Sequence, residues 1–124
     1  TSLDGCSMGG PIGLEVLVRR PDHFAAWGSV QSAFGVQRAR AFAERLAAAA
    51  PRMARVTGKA PSPAIHLETS SGDPFRESNL SLSRELGQLG ISHDLLDLPG
   101  PHDQPWLREA GTLSMLLWHD RRPR

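Results

Sequence analysis

Apolar and polar positions follow two periods along this chain, and together they predict a regular succession of strands and helices. Short runs rich in apolar residues predict strands ending near residue 4 and covering 24–30, 64–68 and 94–98. Between and after them, apolar residues recur at helical spacing and predict helices at 11–20, 37–50, 77–89 and 106–118. The order βαβαβαβα is typical of a parallel sheet flanked by helices on both faces, so the predicted fold class is α/β.

Prolines and glycines mark where these elements begin and end. Pro11 fits the first turn of a helix, and Pro21 stops that helix. Pro51 ends the alanine-rich second helix, and Gly90 ends the third. The segment 51–63 carries further proline and glycine and is predicted to be irregular.

Composition narrows the function classes. The 124 residues suit one ordinary domain, and 40% apolar with 22% charged residues is globular composition. Fourteen Lys and Arg against 13 Asp and Glu give a net charge of +1, which argues against nucleic-acid binding. No apolar run is long enough to span a membrane. The single cysteine, Cys6, excludes an intrachain disulfide framework and a multi-cysteine metal site. Localisation stays open.

Three polar residues follow the predicted strands where a parallel sheet collects its functional groups. The loops at the carboxyl ends of the strands hold Ser7, Asp73 and His102, in the chain order Ser, Asp, His. A serine hydroxyl becomes a nucleophile when imidazole removes its proton, and a carboxylate on the far side of the ring fixes the tautomer. The pattern therefore predicts a catalytic triad in which Ser7 attacks, His102 is the base and Asp73 orients it.

The surroundings of Ser7 fit a strained strand-to-helix turn. Gly5-Cys6-Ser7-Met8-Gly9 is a G-x-S-x-G pattern with a strand before it and an amphipathic helix after it. We expect Gly5 and Gly9 to relieve crowding around the turn and Cys6 to pack beneath it. The backbone N–H of Met8, at the start of the helix, is the predicted oxyanion donor.

Other acids and histidines compete for the triad roles. Asp73 precedes Pro74 and has the alternative of a purely structural turn residue. The rival acids lie inside a strand, on a helix and within the last strand: Glu68, Glu77 and Asp97. The other histidines precede strands, lie within one or sit near the end of the chain: His23, His93, His66 and His119.

Metal and cofactor chemistry has little support in the sequence. Asp103 beside His102 offers two ligand types, but a His-Asp pair without a second cluster is poor support for a metal site. We therefore predict no metal and no cofactor.

Three separated motifs resemble one group of α/β-hydrolase esterases. The first is GCSMGGPIGLEVLVRRPDHFAAWGSVQSAF, which is similar to the nucleophile turn, helix and next strand of that group. The others are the acid loop that begins SGDPF and the segment PGPHDQPW with the helix behind it. The group includes enterochelin esterases, feruloyl and acetyl-xylan esterases, S-formylglutathione hydrolases and mycolyltransferases. The resemblance spans nearly the whole chain.

The resemblance implies that residues 1–124 form only part of a catalytic domain. In that group the nucleophile follows the fifth strand of an eight-stranded sheet ordered 1-2-4-3-5-6-7-8, so this chain would hold strands 5 to 8, the C-terminal half. The N-terminal half, missing or on a separate chain, would pair beside residues 1–4 and supply the second oxyanion donor. Asp4 departs from the usual apolar strand position, so its carboxylate must be solvated or paired.

The resulting functional hypothesis is a serine esterase that acts on a small ester through an acyl-enzyme. One alternative is an acyltransferase with the same triad, in which an alcohol replaces water in the second step. Another is a non-catalytic half-domain that binds a partner chain.

Overall fold

Four parallel strands form the centre of the chain in its computed structural model, which describes residues 1–53 and 64–122. They are β1 (Ser2–Cys6), β2 (Ala26–Val30), β3 (Ile65–Gly72) and β4 (Asp94–Pro101). Their order in the sheet is β1-β2-β3-β4, so every strand pairs with its neighbour in sequence. The predicted parallel α/β architecture is confirmed.

Helices connect and cover the strands. They are α1 (Gly9–Arg19), α2 (Ala39–Ala49), α3 (Arg76–Gln88), α4 (Gln104–Trp106) and α5 (Thr112–Asp120). A π-helical turn, Leu107–Gly111, joins α4 to α5, and short 3₁₀ turns cover Pro21–His23, Val36–Arg38 and Ala50–Arg52. In the described ranges, no helix has the length and apolar character needed to cross a membrane.

The two faces of the sheet carry different helices. Because side chains alternate along a strand, Trp27 and Gly28 point to opposite faces. Trp27 belongs to the main core with residues of α1, α2 and α3, whereas Gly28 lies against Met115 of α5. Helices therefore cover both faces, as predicted, with three on one side and α5 on the other.

The main core lies between the sheet and the first three helices. The buried side chains there recur at helical spacing, for example Leu14 and Leu17 on α1 and Leu82 and Leu86 on α3. Each of these four is no more than 1% exposed. Such periodic burial is what the apolar spacing in the sequence predicted. A smaller core on the opposite face contains Val30, Leu107 and Met115.

Strands β3 and β4 continue further than the sequence indicated. Residues 70–74 have loop composition, yet the β3–β4 ladder runs on through Ser70, paired with Leu98, to Gly72, paired with Pro101. A register shift lies between Ser70 and Gly72. The ladder extends because β4 supplies pairing partners, which local propensity does not report. Of the segment predicted to be irregular, residues 54–63 lie outside the described residues.

Strand β1 lies at one edge of the sheet, and its residues are more exposed than those of β2. Asp4 on this strand is paired, as the sequence required, because one carboxylate oxygen lies 2.6 Å from Nε2 of His119. Cys6 is exposed rather than packed beneath the turn, so that expectation is wrong. Its exposure follows from the position of β1 at the edge.

Candidate active site

Ser7 occupies a strained turn between β1 and α1. Its φ is +51°, a left-handed conformation that costs a non-glycine residue about 1–3 kcal/mol and persists only where the surroundings enforce it. Here the backbone does so: Ser7 N–H donates to Val30 O at 2.9 Å, and Ser7 O accepts from the N–H of Ala33 at 2.9 Å. The end of β2 thus holds the serine in position.

Close packing around this turn explains two of its glycines. A Cβ added to Gly5 would collide with the backbone of Gly9, and one added to Gly10 would lie 2.7 Å from Cβ of Ser32. A Cβ added to Gly9 would meet no atom within 4 Å. The expectation that Gly9 relieves crowding is therefore corrected, because the second close approach occurs at Gly10.

The three predicted triad residues lie together at the carboxyl ends of the strands. Ser7 Oγ is 3.0 Å from Nε2 of His102, and Nδ1 of His102 is 2.9 Å from Oδ1 of Asp73. A carboxylate can only accept, so Nδ1 carries the proton and Nε2 is left to accept the serine proton. The Asp73 side chain is fully buried, whereas that of His102 is 19% exposed. The serine, imidazole and carboxylate form one continuous hydrogen-bonded chain.

Asp73 is held by two further donors. Thr69 Oγ1 donates to Oδ2 at 2.7 Å, and the backbone N–H of Phe75 donates to Oδ1 at 3.0 Å. The edge of the Phe75 ring also packs against His102, with 5.8 Å between ring centroids. Thr69 lies within β3, four residues before Asp73, and the sequence motifs did not indicate it. Its hydroxyl completes the carboxylate's hydrogen bonds.

The rival acids each have a different partner from His102. Glu77 bonds to Arg84, and Asp97 bonds to Arg76 on the neighbouring helix. Glu68, inside β3, has an oxygen 3.3 Å from Nε2 of His66. Asp73 is thus the acid that the fold brings to the imidazole.

The rival histidines are likewise occupied elsewhere. His23 contacts Arg20 and His93 contacts Ser83, while His119 contacts Asp4. None of these contacts involves Ser7. The histidine that the fold brings to the serine is His102.

Two buried amides support the site and were missed at the sequence level. Asn79 on α3 donates from Nδ2 to Ser32 O at 3.0 Å and to Phe75 O at 2.9 Å, which ties the loop after β2 to the acid loop. Gln31, directly after β2, is also fully buried. For Asn79, the available signal was an asparagine on a helix face with apolar neighbours. For Gln31, the sequence offered no signal.

Asp103, the residue considered beside His102 as a metal ligand, has a structural role. Its carboxylate accepts from the backbone N–H of Trp106 at 2.9 Å and so caps the N-terminus of α4. Over residues 1–53 and 64–122, no group of three or more His, Cys, Asp or Glu is placed to hold a metal ion.

Glu68 is buried on the sheet face that α5 covers. Its side chain is fully buried, and desolvation raises the pKa of its carboxyl above the usual value, although the nearby His66 opposes this. The His66 ring stacks on Trp118 of α5 with 4.9 Å between centroids. The pair belongs to the packing beneath α5 and is separate from the hydrogen-bonded chain at Ser7.

Comparison with known proteins identifies the fold. No protein-family model and no curated protein sequence matches the chain. The solved structures that match include S-formylglutathione hydrolase from Staphylococcus aureus, with a TM-score of 0.70 and 16% identity, and a ferulic acid esterase, with a TM-score of 0.67 and 15% identity. The matches cover 92% and 94% of this chain.

The likeness confirms the α/β-hydrolase fold that the sequence motifs suggested. The chain spans only about half of these structures, 49% of the first and 48% of the second. Both belong to the group of esterases that the motifs resemble. At this identity the likeness establishes the shared fold.

Removing the Thr69 hydroxyl tests how Asp73 is held. We expect Thr69→Val to lower the free energy of unfolding by about 1–3 kcal/mol, because Oδ2 of the buried Asp73 loses its donor. Chemical denaturation measures the change. Thr112→Val is the matched control: it also removes a hydroxyl donor, to Leu107 O at 2.8 Å, but at an exposed residue where water can replace the lost bond. Equal losses in the two variants would contradict the assigned hydrogen bond.

The raised pKa of Glu68 gives stability a pH dependence of known sign. The stability linked to this group is fully present below its unfolded-state pKa, near 4.5, and is lost as the pH rises through the higher folded-state value. Glu68→Gln should flatten this part of the curve of unfolding free energy against pH. Glu77→Gln, at an exposed ion pair, is the control and should leave it unchanged. A curve that keeps its slope in Glu68→Gln would show that the carboxyl is solvated.

Proposed function

We propose that residues 1–124 form the C-terminal half of a serine esterase that cleaves a small carboxylic ester through an acyl-enzyme. The observation that carries the proposal is the hydrogen-bonded chain from Ser7 through His102 to Asp73, which begins on a left-handed turn. Nucleophile, base and orienting acid within hydrogen-bond reach are the geometry that covalent acyl transfer needs. The likeness in fold to two esterases supports the same reaction class.

Proton movements follow from the tautomer of His102. As Ser7 Oγ bonds to the ester carbonyl carbon, its proton passes to Nε2, 3.0 Å away. Asp73 then faces an imidazolium, which its buried carboxylate stabilises. When the tetrahedral intermediate collapses, the C–O bond breaks and Nε2 returns the proton to the leaving alcohol. Water, deprotonated by the same nitrogen, releases the acid and restores Ser7.

The negative oxygen of the intermediate needs donors near Ser7. We assign one to the backbone N–H of Met8, which lies next after the nucleophile at the N-cap of α1. The partial positive charge at a helix N-terminus favours an anion at this point. A second donor would come from the N-terminal half of the domain.

The same half-domain is the proposed partner of two surfaces that the described residues leave uncovered. One is the outer edge of β1, which is the edge strand of the sheet and leads directly to Ser7. The other is the α1 stripe, defined as Met8, Ile12 and Val16, which are 72%, 60% and 41% exposed. The spacing of four residues places them on one helix face. The half-length match to the solved esterases supports the proposed occupant, which is the remaining strands and helices of the domain.

The esterase proposal is tested with p-nitrophenyl acetate and the intact protein. We expect a burst of p-nitrophenol followed by steady turnover, and a loss of about 10³-fold or more in Ser7→Ala, since the nucleophile is gone. Ser2→Ala, on the strand that leads to Ser7, is the matched control. The exposed Cys6 thiol next to Ser7 can itself be acylated, so Cys6→Ala must keep the burst.

Two results would overturn this assignment. Activity retained in Ser7→Ala but lost in Cys6→Ala would make the thiol the nucleophile. No burst in either the parent protein or Cys6→Ala would favour the non-catalytic, partner-binding alternative. Adding short alcohols then separates hydrolysis from transfer, because a transferase forms a new ester in place of the free acid.

Burial of the α1 stripe is tested by a charge. In the intact protein we expect Ile12→Glu to lower the free energy of unfolding by about 1–3 kcal/mol, because a carboxylate would replace an apolar contact with the N-terminal half. Val36→Glu is the control: Val36 is 49% exposed, lies outside the α1 stripe and should change stability by less than about 0.5 kcal/mol. Denaturant unfolding measures both. Equal, small effects would show that Ile12 faces solvent and that the partner does not sit on α1.

A further inference from the structure

Gln31 lies where three elements of the proposed active site meet. It follows β2 directly, and its backbone N–H donates to Glu68 O of β3 at 2.7 Å. The residue before it, Val30, accepts the Ser7 N–H. Its side chain is fully buried and extends towards the end of β4. One residue thus contacts the ends of β3 and β4 and adjoins the anchor of the nucleophile turn.

The backbone of Gln31 is in a conformation that glutamine rarely adopts. Its φ is +49°, and Ser7 is the other described non-glycine residue with a positive φ. Glycine or asparagine would occupy this conformation with less strain. Such residues persist where their surroundings enforce the conformation, and they cluster at active sites.

Both amide protons of Gln31 are used. Nε2 donates to Ser70 Oγ at 2.7 Å and to Pro101 O at 3.0 Å. A carbonyl can only accept, so the contact with Pro101 O fixes which end of the amide is nitrogen. Ser70 Oγ also lies 3.5 Å from the same carbonyl.

Pro101 is the residue immediately before the proposed base. It has no N–H, so its carbonyl is the polar backbone group through which the segment leading into His102 can be held. Two neighbouring groups are held in the same way: Trp106 Nε1 donates to Pro99 O at 3.0 Å, and Gly100 N–H donates to Ser71 Oγ at 3.2 Å. The Gln31 bond is the last of these before the imidazole.

We propose that Gln31 is a positioning residue, which holds His102 between Ser7 and Asp73 by donating from Nε2 to Pro101 O. The role rests on the proposed esterase function. It links the histidine segment to the nucleophile turn, because the segment 30–33 that carries Gln31 also holds the backbone of Ser7. Losing the bond frees the histidine segment while the nucleophile turn stays in place.

The experiment measures His102 directly in the intact protein. A histidine Nδ1–H bonded to a carboxylate gives a far-downfield proton signal in NMR, which is assigned to His102 by its loss in His102→Gln. Gln31→Met keeps side-chain length and burial but removes both donors, and Gln31→Gly removes the side chain and the strained φ together. In both we expect the signal to broaden or disappear. Gln88→Met, an exposed glutamine at the end of α3, is the control and keeps it.

A second readout follows the reactivity of Ser7. Labelling by a fluorophosphonate should slow by about 10- to 100-fold in Gln31→Met and Gln31→Gly, the range expected when a catalytic group is displaced by about 1 Å. An unchanged downfield signal with an unchanged labelling rate overturns the proposal. So does unfolding of both variants, which makes the role purely structural, and so does absence of the signal in the parent protein.

The two readouts separate this proposal from the function on which it rests. If the parent protein is not labelled, the esterase function fails, and the NMR signal still decides whether Gln31 places His102. If the parent protein is labelled, and both variants keep its thermal stability but lose the downfield signal and are labelled more slowly, both proposals stand.

Discussion

The parallel pairing of all four strands is the constraint on which the rest of the structure depends. Because the strands are parallel, the carboxyl ends of β1, β3 and β4 lie at the same end of the sheet. Ser7 and His102 are 95 positions apart in sequence, yet their side chains are 3.0 Å apart. If any of these strands were antiparallel to the others, the site residue that follows it would lie at the opposite end of the sheet. The alternation of strand and helix in the sequence therefore implies the site as well as the fold.

Local patterns made the architecture and the three candidate residues predictable. Helical spacing of apolar residues located the helices, and glycines and prolines marked where they end. A serine between a strand and a helix, followed by an aspartate and a histidine after later strands, then suggested the triad. The fold is confirmed by the matching structures, and the distances bring Ser7, Asp73 and His102 together. Their catalytic roles stay predictions.

The support around the triad could not be predicted, because it depends on contacts between distant segments. Ser70 has a loop-like neighbourhood in sequence, and only its pairing with Leu98 makes it part of a strand. Gln31 donates to Pro101 O across 70 positions, and Asn79 reaches Ser32 O across 47. No period or motif reports such bonds. The same is true of the crowding at Gly10, which arises from a side chain of the segment after β2.

Support for the nucleophile turn is one-sided, and this bears on the proposed half-domain. The backbone of Ser7 is held by Val30 and Ala33, both on the β2 side of β1. On the other side β1 ends the sheet, although its strained turn requires surroundings that resist relaxation. An edge strand is the least restrained part of a sheet, with unpaired N–H and C=O groups along it. Under the proposed function, a further strand beside β1 would therefore pair with this edge and hold the nucleophile turn from both sides. The same half-domain would bring the second oxyanion donor next to the backbone N–H of Met8.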